Sequence, residues 1–117
     1  QAYIEWISAL ERNEINKFDF SLTLEPIADA RSHAVLFLLE VKDSVYGLSS
    51  MLIDEVLEVY KKITEIYKAL VHKFPYEQPR EPISDDDRKE SIESINKLMH
   101  FEEQAYEILK RIYKEIK

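Results

Sequence analysis

Glu102 stands where a helix of this chain should carry an apolar side chain. It lies seven residues after Ile95 and seven before Leu109, on the stripe traced by Ile92, Ile95, Met99, Tyr106, Leu109, Tyr113 and Ile116. A carboxylate on such a stripe must be paired with a cation, protonated, bound to a metal, or close enough to a helix crossing to reach water. His100 and Glu103 flank it, so His100, Glu102 and Glu103 form one set of candidate metal ligands. The run His100-Phe-Glu-Glu103 has the spacing of the Glu-x-x-His pairs of ferritin-like di-iron bundles, but in reverse and once. The preferred reading is plainer: Glu102 pairs with a Lys or Arg of another helix.

A second acidic group surrounds Gly47, the single glycine. Glu40 and Asp43 precede it by about two turns and one turn, and Asp54, Glu55 and Glu58 follow it by about two to three. If the flanking helices fold back on each other, these carboxylates stand at similar heights. Carboxylates three apart on neighbouring helices hold Mg²⁺ in helical nucleotide pyrophosphohydrolases, because a hard cation takes several oxygens. Glu40, Asp43, Glu55 and Glu58 are therefore candidate ligands for Mg²⁺ or another divalent metal. At about 100° per residue, however, Glu40 falls opposite Leu38, and Glu58 lies away from its own apolar stripe. The order, E-x-x-D before E-x-x-E, is also the reverse of that enzyme family's. A solvated acidic end is preferred.

Three histidines remain to be placed: His33, His72 and His100. Asp29 and His33 are four apart, a spacing that can grip a metal, yet with Glu40 they fall on the outer stripe of their helix. They read as surface residues. Pro79-Arg80-Glu81-Pro82 matches the minimal polyproline docking motif, and reads first as a stiff crossover. One glycine leaves no room for a glycine-rich phosphate loop, and the serines lack a nucleophile motif. The seven tyrosines sit mostly at core spacing, without an interleaved basic patch on which bases would stack.

These residues must be positioned by helices. Leu52, Val56, Val59, Ile63, Ile66 and Leu70 recur at steps of four and three, and Ile53, Leu57, Tyr60, Tyr67, Val71 and Phe74 widen that stripe. A face so wide needs partners on two or three sides. The expected fold is all-α, an antiparallel four-helix bundle with helices at about 2–17, 24–46, 50–74 and 85–116. Phe18–Leu22 reads as a connection whose aromatics cover one end of the core. Thr23 is the expected N-cap of helix 2, with Pro26 in its first turn. Val35, Phe37 and Leu39 widen the apolar surface of helix 2, which should be the most buried of the four. Gly47 is expected to end helix 2, and Ser49 or Ser50 to cap helix 3. The run PYEQPREPIS, residues 75–84, should be extended, with Ser84 and three aspartates opening helix 4. Helix 4 is long and lacks a stop signal, so its end should overhang the bundle or pack on another subunit.

The 117 residues suit one domain, and because the pattern begins at once without an initiator Met the expectation is a fragment of a longer chain. Hydrophobic residues at 45% suffice for a core, and charged residues at 33% are too many for a membrane protein. The longest apolar run, Ala34–Leu39, is six residues, far short of a span. Absent cysteine excludes disulfides and thiolate sites and favours a cytoplasmic location. A net charge of −7 with interspersed lysines repels phosphate backbones, so direct nucleic-acid binding is not expected. The abundance of Glu and Lys also suits a thermophile protein.

Size and helix count are similar to those of several helical-bundle groups, HEPN domains among them. The R-x4–6-H element of catalytic HEPN members is missing, since Arg31 and His33 are too close, and nothing follows from the likeness. The leading expectation is a non-enzymatic interaction module, a subunit or regulatory domain, associating with itself or with a protein partner through helix 4, with helix 1 as a second contact. A divalent-metal-dependent enzyme or metal-binding bundle ranks second. An accessory subunit of a nucleic-acid-processing complex ranks third.

Overall fold

A wide apolar stripe dictates which helix sits in the middle. In the computed structural model, which describes residues 2–75 and 78–116, that helix is α3, Leu48–Lys73. It packs against α2, Lys17–Lys42, on one flank and against α4, Asp85–Ile116, on the other. The fourth helix, α1, Ala2–Glu11, packs on α4. The chain is an all-helical four-helix bundle, with no strand among the described residues; an isolated bridge joins Asn16 to Pro82. Eight side chains of α3 are buried: Leu52, Ile53, Val56, Leu57, Val59, Ile63, Tyr67 and Leu70. At 1.5 Å per residue, α4 is about 48 Å long, which accounts for the 50 Å long axis.

Consecutive helices alternate in direction, so one end of the bundle, here the lower, gathers the starts of α2 and α4 with the ends of α1 and α3. There Tyr3, Trp6, Phe20 and Phe74 form a chain of edge-to-face rings with centroids 5.8, 5.9 and 5.0 Å apart. Leu10 and Ile83 are buried at the same end. Lys73 of α3 pairs with Asp87 and Glu90 of α4. At the opposite, upper end, Lys42 of α2 meets Asp54 of α3 at 2.5 Å.

Several boundaries differ from the sequence expectation, each for a physical reason. The first helix stops at Glu11, not near Lys17, because Asn13 takes the left-handed conformation (φ 56°). The amides of Asn13 and Glu14 then return to the carbonyls of Leu10 and Ala9, closing the helix. Asn16, not Thr23, caps α2, its side chain accepting a 2.9 Å hydrogen bond from the Asp19 amide. Phe18–Leu22 is therefore helical, and Phe20 is fully buried. Pro26 lies inside α2, where it has no N–H for the Leu22 carbonyl; both residues face solvent. Nearby, the hydroxyls of Ser21 and Thr23 donate back to the carbonyls of Phe18 and Phe20.

The second helix also ends early, at Lys42. Gly47 does not terminate it. The glycine instead precedes α3, at φ 63° and ψ −132°, a conformation closed to residues with a Cβ. Its carbonyl receives the Met51 amide, so Ser49 and Ser50 lie within the first turn rather than capping it. Nor is α2 the most buried helix. Leu36, Phe37 and Leu39 are exposed, because α2 has α3 on one flank and no long helix on the other. The start of α4 is as expected, with the Asp87 amide donating to the Ser84 hydroxyl oxygen at 3.2 Å. In the run 75–84, Tyr76 and Glu77 lie outside the described residues.

Burial of Phe20 and exposure of Leu36 imply unequal sensitivity along α2. Phe20→Ala should lower unfolding free energy by about 3–5 kcal/mol, whereas Leu36→Ala should stay within about 0.5 kcal/mol. Urea unfolding followed by circular dichroism measures both.

Candidate functional site

Tyr3 opens α1, and its hydroxyl reaches the middle of the bundle. It lies 2.5 Å from the Tyr67 hydroxyl and donates to Glu102 Oε1 at 3.1 Å. Since one phenol has one proton, Tyr67 donates to Tyr3 and Tyr3 to the carboxylate. From α2, Arg31 Nε donates to the same Oε1 at 2.6 Å. All four helices thus meet in one polar layer. Arg31 and Glu102 retain 30% and 21% of their side-chain exposure, so the pair is largely but not wholly desolvated.

The electrostatics of this layer follow from burial and from the ion pair. Burial pushes the Tyr67 phenol well above its ordinary range, and the hydrogen bond and charge of Tyr3 push the same way. Burial raises Tyr3 as well, against the lowering effect of its bond from Tyr67. Tyr60 is raised by burial and by the Glu102 charge. For Arg31, burial opposes the charge, but the bond to Glu102 and its negative charge outweigh that and hold the guanidinium protonated. Glu102 Oε1 is occupied by a guanidinium and a phenol. The layer therefore acts as a clamp: it holds α1 and α2 to the α3–α4 pair at one height.

The other sequence candidates are dispersed. Glu58 pairs with Lys61 of its own helix at 3.3 Å. Glu40 and Asp43 are exposed, Asp43 at the C-cap of α2. Glu55, His100 and Glu103 line a shallow depression between α3 and α4 with Val59, Gln104, Glu107 and Ile108. Among the described residues no three His, Asp or Glu side chains are close enough to hold a metal ion. Asp29 and His33 face each other on the surface of α2 at 3.7 Å. Pro79–Pro82 is docked on the start of α2: Glu81 accepts the Lys17 amide at 2.9 Å, and the Arg80 guanidinium lies 4.5 Å from the Phe18 ring centroid. Sequence reasoning missed Arg31 as the partner of Glu102. The signal was present, since Arg31 falls between Ile27 and Leu38 on the inward stripe of α2.

Above the polar layer the bundle changes character. α2, α3 and α4 continue upward from it. Val35, Val41 and Leu109 are half-buried. Glu25, Ala28 and Ser32 meet α3 on one flank of α2; Phe37, 63% exposed, lies on the opposite flank. On α4, Glu90, Ser94 and Gln104 adjoin α3, and Tyr106 and Tyr113, 61% and 63% exposed, lie on the other side. Tyr106, Leu109, Lys110, Tyr113 and Lys114 line a mainly apolar depression. No helix among the described residues is long and apolar enough to cross a membrane.

The clamp carries two tests. Glu102→Ala leaves a half-buried guanidinium unpaired and should cost about 1–3 kcal/mol, most of which Arg31→Met in the same chain should restore. A urea-unfolding cycle reads the coupling. Tyr67 and Tyr3 bind their protons more tightly when folded, so their contribution is complete below the ordinary tyrosine pKa of 10.0 and fades as pH rises beyond it. Melting temperatures above pH 10.0 should therefore fall less steeply for Tyr67→Phe than for the parent chain.

No protein family, curated protein or solved structure matches this chain, so function is argued from the geometry.

Proposed function

We propose that this chain is a non-enzymatic helical interaction module that associates with itself through the upper half of the bundle, chiefly α4. One observation carries the reading: Tyr106 and Tyr113 of α4 stand largely exposed beside half-buried Leu109, lining a mainly apolar depression with Lys110 and Lys114. Large apolar side chains exposed singly are ordinary; several on one face of a small protein mark a docking surface. Aromatic residues near a half-desolvated centre are also the side chains that anchor protein interfaces. The interspersed charges and cysteine-free composition support a cytoplasmic module.

Light scattering at micromolar concentration should give a mass of at least two chains of 13.9 kDa. Tyr106→Ser should shift the particle to the monomer while changing its monomer stability by no more than about 0.5 kcal/mol, the usual range for an exposed site. A parent chain that scatters as a monomer would sink the reading.

A further inference from the structure

Charge is not spread evenly along this chain. Residues 32–60 hold five carboxylates and one lysine, so that stretch carries −4 of the net charge of −7. The lysine, Lys42, is taken by Asp54, while Glu40 and Glu55 stand outside every ion pair among the described residues. Exposed apolar side chains gather in the same stretch: Leu36, Leu39, Tyr46, Leu48 and Met51, with Tyr46 85% and Met51 68% exposed.

Helical spacing sets them in one strip. Leu36 and Leu39 follow Ser32, which lies beside α3, at four and seven residues. Leu39 precedes Lys42 by about one turn, and Met51 precedes Asp54 by about one turn, on opposite sides of the bridge that joins the two helices. Leu48 stands about one turn above Met51, and Tyr46 lies in the connection between α2 and α3. With Leu36 and Leu48 at its ends, the strip is about 18 Å long, a little over three helical turns. Exposed Glu40 and Asp43 border it on α2, and Glu55 on α3. The strip belongs to the α2–α3 hairpin, apart from the depression that Tyr106 and Tyr113 line on α4.

We propose that this strip docks an amphipathic helix of another protein, one with aliphatic side chains along one face and lysines or arginines at its margins. The helix covers apolar side chains that their own chain leaves in water, and Met51 adapts to the shape it meets. The carboxylates select the sign of the partner and speed its approach. The same strip of a second copy is repelled by like charge, as are anionic lipid headgroups and nucleic-acid phosphates.

The probe is a synthetic helical peptide of about eighteen residues, with leucines at i, i+3, i+4 and i+7 spacing and lysines elsewhere. Added to the full ¹⁵N-labelled chain, it should shift amides within residues 36–58, and salt raised from about 50 to about 300 mM should weaken it several-fold. Met51→Ser should weaken it about five- to tenfold, with the unshifted remainder of the spectrum showing that the fold is kept. The same leucines among glutamates should leave the spectrum unchanged. The proposal is overturned by no shift, by shifts centred on Glu103 and Glu107 of α4, or by indifference to Met51→Ser. It is overturned too if phosphatidylcholine vesicles, or concentration of the chain alone, reproduce the shifts, which would name a lipid surface or a second copy instead. The scattering mass of the parent chain decides self-association through α4 and leaves this result untouched.

Discussion

The wide apolar stripe of α3 must be covered along its whole length, and the remaining architecture is a response to that. α2 and α4 take its flanks. α1 packs on α4 below Glu102, and its Tyr3 hydroxyl reaches Tyr67 of α3. There the core is closed by edge-to-face rings and by Leu10 and Ile83. Above Glu102 Val35, Val41 and Leu109 are half-buried, while α3 stays buried from Leu52 to Ile63. The burial of each helix thus follows from which neighbours reach it, more than from its own hydrophobicity.

The Arg31–Glu102 pair sits at the level where this change occurs. An ion pair in a fully closed core would carry a desolvation penalty that its Coulomb attraction barely offsets. Here the pair keeps part of its hydration, and a phenol donates to the carboxylate. Its contribution lies as much in register as in stability. Shifting α1 or α2 by one turn against α4 would separate Tyr3 or Arg31 from Glu102, leaving polar groups with apolar neighbours. Burial in the same layer accounts for the raised tyrosines, with the Glu102 charge a smaller contribution.

Where local signals and tertiary demands agreed, the fold was legible. The stripe of α3, the Ser84 cap and the length of α4 could all be read from spacing and capping chemistry. They disagreed in α2. Thr23 with Pro26 three residues on has the look of a helix start, but Asn16 offers an equally good cap and Phe20 has a place in the core only if the helix begins there. Gly47 was legible as a special backbone position, but its side of the turn was not, because a glycine serves either helix equally well. Glu102 was legible as an anomaly, since a carboxylate on an apolar stripe breaks a pattern that one sequence displays. Periodicity puts Arg31 on the inward stripe of α2, but that it meets Glu102, seventy-one residues on, depends on how the helices are arranged.

The clamp made by Tyr3 also bears on the order in which the chain assembles. Its bond to Glu102 closes a loop of ninety-nine residues, whereas α2, α3 and α4 pack on their neighbours in sequence. Loop closure of that size is entropically unfavourable until the other helices have already brought the chain ends together. The Tyr3–Glu102 contact is thus expected to form after α2, α3 and α4 have packed, and amide exchange in α1 against the other helices would read that order.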